Sequence, residues 1–380
     1  MGVGLRYGGR NFGSANCTCI SGNEACGRNH ERTLPRTSVS RRNFLSRSAA
    51  SLGLATLAAP AGAPFALAQT EKPRLIDVHY HIAPPAWSAA LSTRNELRGV
   101  WEHWSVAKAI EDMDRDGVER AMTSITTPGV RFAGTDAVRL ARECNEFAAK
   151  MRSDHPRRFG MFAVLPLPDI DASLAEIAYA MDTLKADGIG LLTSYGDKWL
   201  GHPAFDPVFA ELNRRKVLIY THPTEANCCR NLLPGVPSAV IEYGTDTSRA
   251  ITEIVFGGTA KRYPDMRIIF SHAGGTLPFL VERVMFLERM QGASLKPPKG
   301  GAVAALRNFY YDTAQAAMAA PMAALRQVAP LSHILYGTDY PYRTAGETFS
   351  ELAQSHMFTA AELPAVERGN ALALLPQFAG

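Results

Sequence analysis

An α/β fold of the (β/α)8 or TIM barrel type is the architecture this 380-residue sequence predicts, and three observations predict it. Eight runs rich in β-formers alternate with helical runs, at the spacing that parallel strand pairing requires. Several of those runs end in His or Asp, and a barrel gathers the carboxyl ends of all its strands on one face. No GxGxxG or Walker pattern follows the first strand, which counts against a doubly wound dinucleotide or nucleoside triphosphate fold.

The first strand is Leu75-Ile76-Asp77-Val78-His79-Tyr80-His81-Ile82, apolar β-formers around two histidines. Residues i and i+2 of a strand face the same side, so His79 and His81 project together. By the same period Asp77 shares that face, placed to steady an imidazole. Residues 83–104 follow, with Pro84, Pro85 and three tryptophans, and read as a long functional loop or flap. A helix over 105–116 ends at Gly117, a normal C-terminal cap. Strand 120–127 stops at Pro128, and Asp136 is placed to cap helix 137–153. Strand 159–167 stops at Pro168. The helix over 171–185 carries an apolar stripe of Leu174, Ile177, Ala178, Met181 and Leu184.

The alternation continues with strand 188–194, helix 206–215 and strand 217–222, closed by Pro223. A second long loop, 224–245, leads to helix 246–262. Strand 267–272 breaks at Gly274-Gly275, and helix 277–289 runs into a Lys/Pro/Gly-rich linker over 292–301. Strand 309–313, helix 321–328, strand 333–339 and helix 347–355 complete the eight units. The remaining tail is expected to pack outside the barrel.

Residues 1–68 are set apart from the barrel, which is expected to occupy 69–380 as a single domain. Ser40-Arg41-Arg42-Asn43-Phe44-Leu45-Ser46 is a twin-arginine signature of the kind the bacterial Tat exporter reads. A small-residue apolar stretch follows, and Ala66-Leu67-Ala68 fits a cleavage box. The expectation is a protein exported to the periplasm by the Tat machinery. Removing 1–68 takes away 8 of the 40 basic and 2 of the 36 acidic residues, and the net charge moves from +4 to −2. A near-neutral body gives no electrostatic case for nucleic acid, and no long apolar run in it suggests a membrane span. Three cysteines remain, Cys144, Cys228 and Cys229, too few and too close for a disulfide framework.

His79 and His81 end the first strand, His222 the fifth, His272 the sixth and Asp339 the eighth. Neutral imidazoles and a carboxylate around one barrel mouth suit one divalent metal ion, Zn²⁺ foremost, with Fe²⁺, Mn²⁺ and Co²⁺ compatible. A fifth group beside four ligands fits an open, reactive site better than a closed structural one. Arg98, Trp101, Arg131, Tyr195, Trp199 and Glu225 are candidate substrate-binding residues by their position on the loops.

The set Asp77-x-His79-x-His81, Thr221-His222-Pro223, Ser271-His272-Ala273-Gly274-Gly275 and Gly337-Thr338-Asp339-Tyr340-Pro341 resembles the amidohydrolase superfamily. Within it the sequence is most similar to the branch that contains aminocarboxymuconate-semialdehyde decarboxylase and 6-methylsalicylate decarboxylase. The resemblance implies that His79, His81, His222 and Asp339 bind the metal and that His272 is the catalytic acid/base. Two-metal members of the superfamily typically carry a carboxylated lysine on the fourth strand; strand 188–194 has no lysine, so one metal is expected. The resemblance further implies a non-oxidative decarboxylase of an aromatic or unsaturated carboxylic acid, with possible homodimers. Hydrolysis of a lactone, ester or amide at the same site is the alternative.

Overall fold

The computed structural model describes residues 73–291 and 295–379. The leader and its twin-arginine signature lie outside these residues. Eight parallel strands stand in sequence order: β1 (Leu75–His81), β2 (Val118–Ser124), β3 (Phe159–Val164), β4 (Gly188–Leu192), β5 (Leu218–His222), β6 (Arg267–Phe270), β7 (Tyr310–Asp312) and β8 (Ile334–Leu335). The ring closes between its ends. Val78 N donates to Tyr336 O at 2.9 Å, His81 N to Tyr340 O at 2.9 Å and Asp339 N to His79 O at 3.0 Å. The eighth strand is therefore regular over two residues only, and pairs onward irregularly to Tyr340. The expected TIM barrel is present. Among the described residues no helix is long and apolar enough to cross a membrane.

Each strand is followed by a helix: α1 (Val106–Asp116), α2 (Ala137–Asp154), α3 (Ile170–Ala178), α4 (Asp206–Arg214), α5 (Glu242–Phe256), α6 (Val281–Gln291), α7 (Ala319–Val328) and α8 (Ala345–Gln354). Local chemistry sets most of their ends. Ser105 Oγ accepts Lys108 N at the start of α1, and Thr344 and Glu347 form a reciprocal capping box on α8. Gly117 ends α1 in the left-handed region at φ 79°, where a Cβ would meet Pro73 O at 2.2 Å.

Several boundaries differ from expectation. The stretch 83–104 is not all loop, because Pro85–Ser92 is a helix with Pro85 in its first turn, where a missing N–H costs nothing. Asp136 itself has helical backbone and caps nothing. Residues 170–183 pass from α3 into a π turn at Tyr179–Thr183, and Gly257-Gly258 separate α5 from a short helix, Thr259–Arg262. The linker after α6 ends in a helix, Gly301–Asn308. Asp246 lies inside α5 rather than at its start. Its buried carboxylate accepts from Thr193 Oγ1, from Ser194 Oγ at 2.9 Å and from Trp199 Nε1 at 2.6 Å, tying down the hairpin Ser194–Tyr195/Lys198–Trp199.

The tail does not pack outside. Ala371, Leu374, Leu375 and Phe378 are buried in one cluster with the inward residues Ile76, Val78, Met122, Phe162, Leu218, Ile269 and Leu335. The tail is thus the floor of the barrel. Phe378 is 4% exposed, takes the Arg120 guanidinium over its ring at 5.2 Å, and sits against Gly160, where a Cβ would lie 2.5 Å from the ring. Phe378→Ala is expected to lower the unfolding free energy by about 3–5 kcal/mol, measured by urea denaturation, with the metal content of the folded fraction unchanged.

Candidate metal centre

The site begins with a fault in the first strand. Asp77 pairs with Ala121 but Tyr80 with Thr123, so β1 spends one residue more than β2 over this step. Such a bulge reverses the in–out alternation. Ile76 and Val78 face the inner core before it, whereas Tyr80 faces the outer core after it and His79 and His81 take the inward positions. Asp77 consequently does not share their face and steadies no imidazole. Its carboxylate accepts His79 backbone N at 2.9 Å, Thr338 N at 3.2 Å and Thr338 Oγ1 at 2.6 Å, which fastens the two closing strands together. Burial pushes this carboxyl up to about 7, against hydrogen bonds that favour its charge.

His79, His81, His222 and Asp339 come together as expected, with one donor atom from each lying within 4.8 Å of the others. His79 Nε2 is 3.0 Å from His81 Nε2 and 3.2 Å from Asp339 Oδ1; His81 Nε2 is 3.1 Å and His222 Nε2 3.8 Å from that same oxygen. The outer nitrogens decide what the inner ones present. His222 Nδ1 lies 2.8 Å from Pro223 O, and a carbonyl only accepts, so Nδ1 carries the proton and Nε2 is bare. His79 Nδ1 donates to Asp312 Oδ2 at 2.9 Å, and His81 Nδ1 lies 3.0 Å from Ser124 Oγ. The Nε2 atoms of three imidazoles and a carboxylate oxygen therefore converge in a buried space.

Like lone pairs at 3 Å repel unless a positive charge lies between them. Burial opposes a charge on His79, but the Asp312 and Asp339 carboxylates outweigh it and push this imidazole up to about 10. Burial drives His81 and His222 down to about 4, so both are neutral donors at pH 7. Asp339, although buried, is held well below the usual carboxylate range by the imidazoles around it. A divalent cation satisfies all four groups at once, and the separations match bonds of about 2.0–2.2 Å to one ion. The four side chains form a site for one divalent metal.

His272 stands beside this set. The turn after β6 runs through four consecutive positive φ values, His272 at 53°, Ala273 at 56°, Gly274 at 77° and Gly275 at 66°. At Gly275 a Cβ would meet Gly244 O at 2.1 Å, so only glycine fits. Asp312 Oδ1 accepts His272 N at 2.8 Å and Ala314 N at 3.0 Å, holding the turn. His272 Nδ1 donates to Ala314 O at 3.0 Å, which leaves Nε2 bare, and the ring lies 4.9 Å from that of His79. Burial lowers His272 to about 4.

The loop residues separate into two groups. Arg131 and Tyr195 line a largely apolar pocket with Val130, Leu165, Leu192 and His222. Arg131 Nη2 donates to Thr224 Oγ1 at 3.1 Å, and the Tyr195 hydroxyl accepts Leu192 N at 3.0 Å. Trp101 is nearly buried, 6.5 Å from His81 between ring centroids, and its Nε1 donates to Tyr342 OH at 3.0 Å. Glu225 is engaged within its own loop, accepting from Ser238 Oγ and lying 3.8 Å from Arg230. Arg98 turns back to Asn95 O, and Trp199 serves Asp246. Sequence reasoning missed Asp312, which ends the seventh strand, although the strand-end rule that found the other ligands applies to it equally. It also missed Gln315, on the loop after β7, whose Nε2 donates to Asp339 Oδ2 at 3.1 Å, and Tyr243, in the first turn of α5 and 6.5 Å from His222; neither position carries a pattern.

Comparison with known proteins agrees with this geometry. The amidohydrolase family model matches residues 76–377. A 6-methylsalicylic acid decarboxylase of Penicillium expansum is 35% identical over 318 residues, covering 80% of this chain and 97% of that enzyme. A 2-amino-3-carboxymuconate-6-semialdehyde decarboxylase of Dictyostelium discoideum is 27% identical over 184 residues, 48% of this chain and 51% of that protein. Among solved structures, 5-carboxyvanillate decarboxylase of Novosphingobium aromaticivorans, complexed with manganese and 4-hydroxy-3-methoxy-5-nitrobenzoic acid, superposes with a TM-score of 0.70 at 21% identity, covering 80% of this chain and 96% of that one. The barrel, the ligand set at its mouth and these matches lead to one assignment: the chain belongs to the amidohydrolase family.

Proposed function

We propose that this protein is a metal-dependent, non-oxidative decarboxylase of an aromatic carboxylic acid of the hydroxybenzoate kind. One observation carries the reading. A three-histidine, one-aspartate centre with a bare His272 Nε2 beside it occurs in a chain 35% identical to a 6-methylsalicylic acid decarboxylase over nearly all of that enzyme. No observation favours the hydrolytic alternative.

A bound divalent ion supplies the charge that holds and polarises the oxygens of the substrate. The rest falls to the chain. His79, His81, His222 and Asp339 fix where that charge stands, and Asp312 and Pro223 O keep His79 and His222 in the donor tautomer. Arg131 adds a second positive charge in the pocket, suited to orient a carboxylate, while apolar walls exclude water. Trp101 offers a flat roof for an aromatic ring. His272 Nε2, bare in the resting site, first takes up a proton from solvent; the bond between ring carbon and carboxylate then breaks, its electron pair stays on the carbon, and the proton passes from Nε2 to that carbon as CO₂ leaves. Nothing is oxidised or reduced. Burial makes a protonated His272 a strong acid, as protonation of carbon requires.

The nitrogen-rich donor set favours Zn²⁺; manganese is the ion bound in the 5-carboxyvanillate enzyme. Export through the Tat route is part of the same reading, supported by Arg41-Arg42, the apolar stretch and the cleavage box.

Chain reconstituted with Zn²⁺ or with Mn²⁺ is expected to release CO₂ from one or more hydroxybenzoates, and the faster of the two names the working metal. Acid release from lactones or esters without CO₂ would replace the lyase by a hydrolase. His272→Ala should keep full metal occupancy and slow CO₂ release by about 10²–10⁴-fold; loss of metal as well would remove it from the proton-transfer role. Asp312→Asn is expected to cost about 10–100-fold in metal affinity or turnover, read by metal titration and by rate. Arg41→Lys with Arg42→Lys should retain the enzyme in the cytoplasm, and unchanged activity in the periplasmic fraction would exclude the Tat route.

A further inference from the structure

The described residues include five buried carboxylates, and four of them are accounted for. Asp339 and Asp312 serve the metal centre, Asp77 ties the closing strands, and Glu176 pairs with Arg142 at 2.8 Å. The fifth, Asp246 in α5, is 1% exposed and forms no ion pair among the described residues. Its donors are neutral: the hydroxyls of Thr193 and Ser194 and the indole of Trp199. A carboxylate buried without a cation is a standing cost to the fold, and an uncharged side chain could hold a hairpin without it.

Hydrogen bonds run on from Asp246 to the pocket. A carboxylate only accepts, so the Thr193 hydroxyl spends its proton on Asp246 Oδ2 and turns its lone pairs away. One of them accepts Thr224 N at 3.2 Å. Thr193 N itself donates to His222 O at 3.0 Å, so Thr193 grips the chain on both sides of Pro223. Thr224 Oγ1 in turn accepts Arg131 Nη2 at 3.1 Å and lies 3.0 Å from Thr127 Oγ1. Nη2 is the only atom of Arg131 with a hydrogen-bond partner among the described residues, so this bond sets where the guanidinium points and leaves its other N–H groups for a ligand. The loops after β2, β4 and β5 meet in this relay, with Asp246 at one end and Arg131 at the other. Burial pulls the Arg131 guanidinium below its usual range and Arg230 adds to this, while Tyr195, Asp246 and Glu225 act the other way.

We propose that Asp246 is a positioning residue: through Thr193 and Thr224 it fixes Arg131 in the direction that receives the carboxylate of an aromatic acid. It does not itself line the pocket. The proposal rests on the reading of Arg131 as the group that orients a carboxylate. Asn in place of Asp246 would keep the size but offer one accepting oxygen instead of two, so either the two hydroxyls or the indole would face an N–H group.

Calorimetric titration of the metal-loaded full chain with benzoate, whose unactivated ring keeps its CO₂, tests the relay. Arg131→Ala and Asp246→Asn are each expected to raise the dissociation constant about tenfold. In the Arg131→Ala background Asp246→Asn should change it by less than about twofold, because the anchor it positions is gone. Thr193→Val, which keeps the shape and removes the hydroxyl, should match Asp246→Asn, whereas Thr193→Ser should stay within about twofold of the parent. Metal content and circular dichroism are expected to hold throughout; should Asp246→Asn fail to fold, Thr193→Val takes its place in the cycle. A loss that persists in full without Arg131, or Thr193→Ser as weak as Thr193→Val, would overturn the relay. So would Asp246→Asn or Arg131→Ala binding benzoate like the parent, or a parent that binds none. CO₂ release from hydroxybenzoates is scored separately: a parent that binds benzoate through the relay but releases no CO₂ keeps the proposal and loses the decarboxylase.

Discussion

The two oxygens of Asp312 hold the centre together. One accepts the Nδ1 proton of His79 and so turns the Nε2 lone pair towards the metal position; the other accepts the backbone N–H of His272. A single buried carboxylate thereby sets the tautomer of a ligand and the place of the neighbouring histidine. It can do so because β7 ends between β6 and β8, within reach of the mouths of both. Relative to that anchor the other polar contacts are local: Ser124 for His81, Pro223 O for His222, Gln315 for Asp339.

Crowding of this kind has an energetic consequence. Desolvation penalises every ionised group here, and an unpaired charge in such surroundings costs several kcal/mol. Two buried carboxylates and three imidazoles that turn their Nε2 atoms to one point call for positive charge between them. The site is thus selective for metal by electrostatic demand, and the left-handed turn at His272 adds backbone strain that the surrounding hydrogen bonds hold in place. The cost of the arrangement is borne by the scaffold around it.

The eight strands and the five groups at their ends were legible in the sequence, because strand ends in a barrel converge wherever they lie along the chain. Four features were not legible. The bulge in β1 is invisible to a period-two reading, so Asp77 was assigned to the wrong face. Pro84-Pro85 looks like a breaker but starts a helix. Asp246 has the residue type of a cap, yet its carboxylate is taken by a hairpin fifty residues earlier, a contact that only tertiary packing creates. The tail's buried residues, Ala371, Leu374, Leu375 and Phe378, do keep the i, i+3, i+4, i+7 spacing of a helical face, but that spacing does not say which surface the face covers, and only tertiary packing puts it under the barrel.

That tail bears on how the molecule is made. The inward residues of the first strand, Ile76 and Val78, share a cluster with Leu374 and Phe378, about three hundred positions later. Contacts across such a separation are entropically slow to form. Without residues 371–378 the barrel interior lacks the side chains that close it at one end. Truncation before Ala371 would leave the mouth of the barrel complete in sequence but with no floor beneath it.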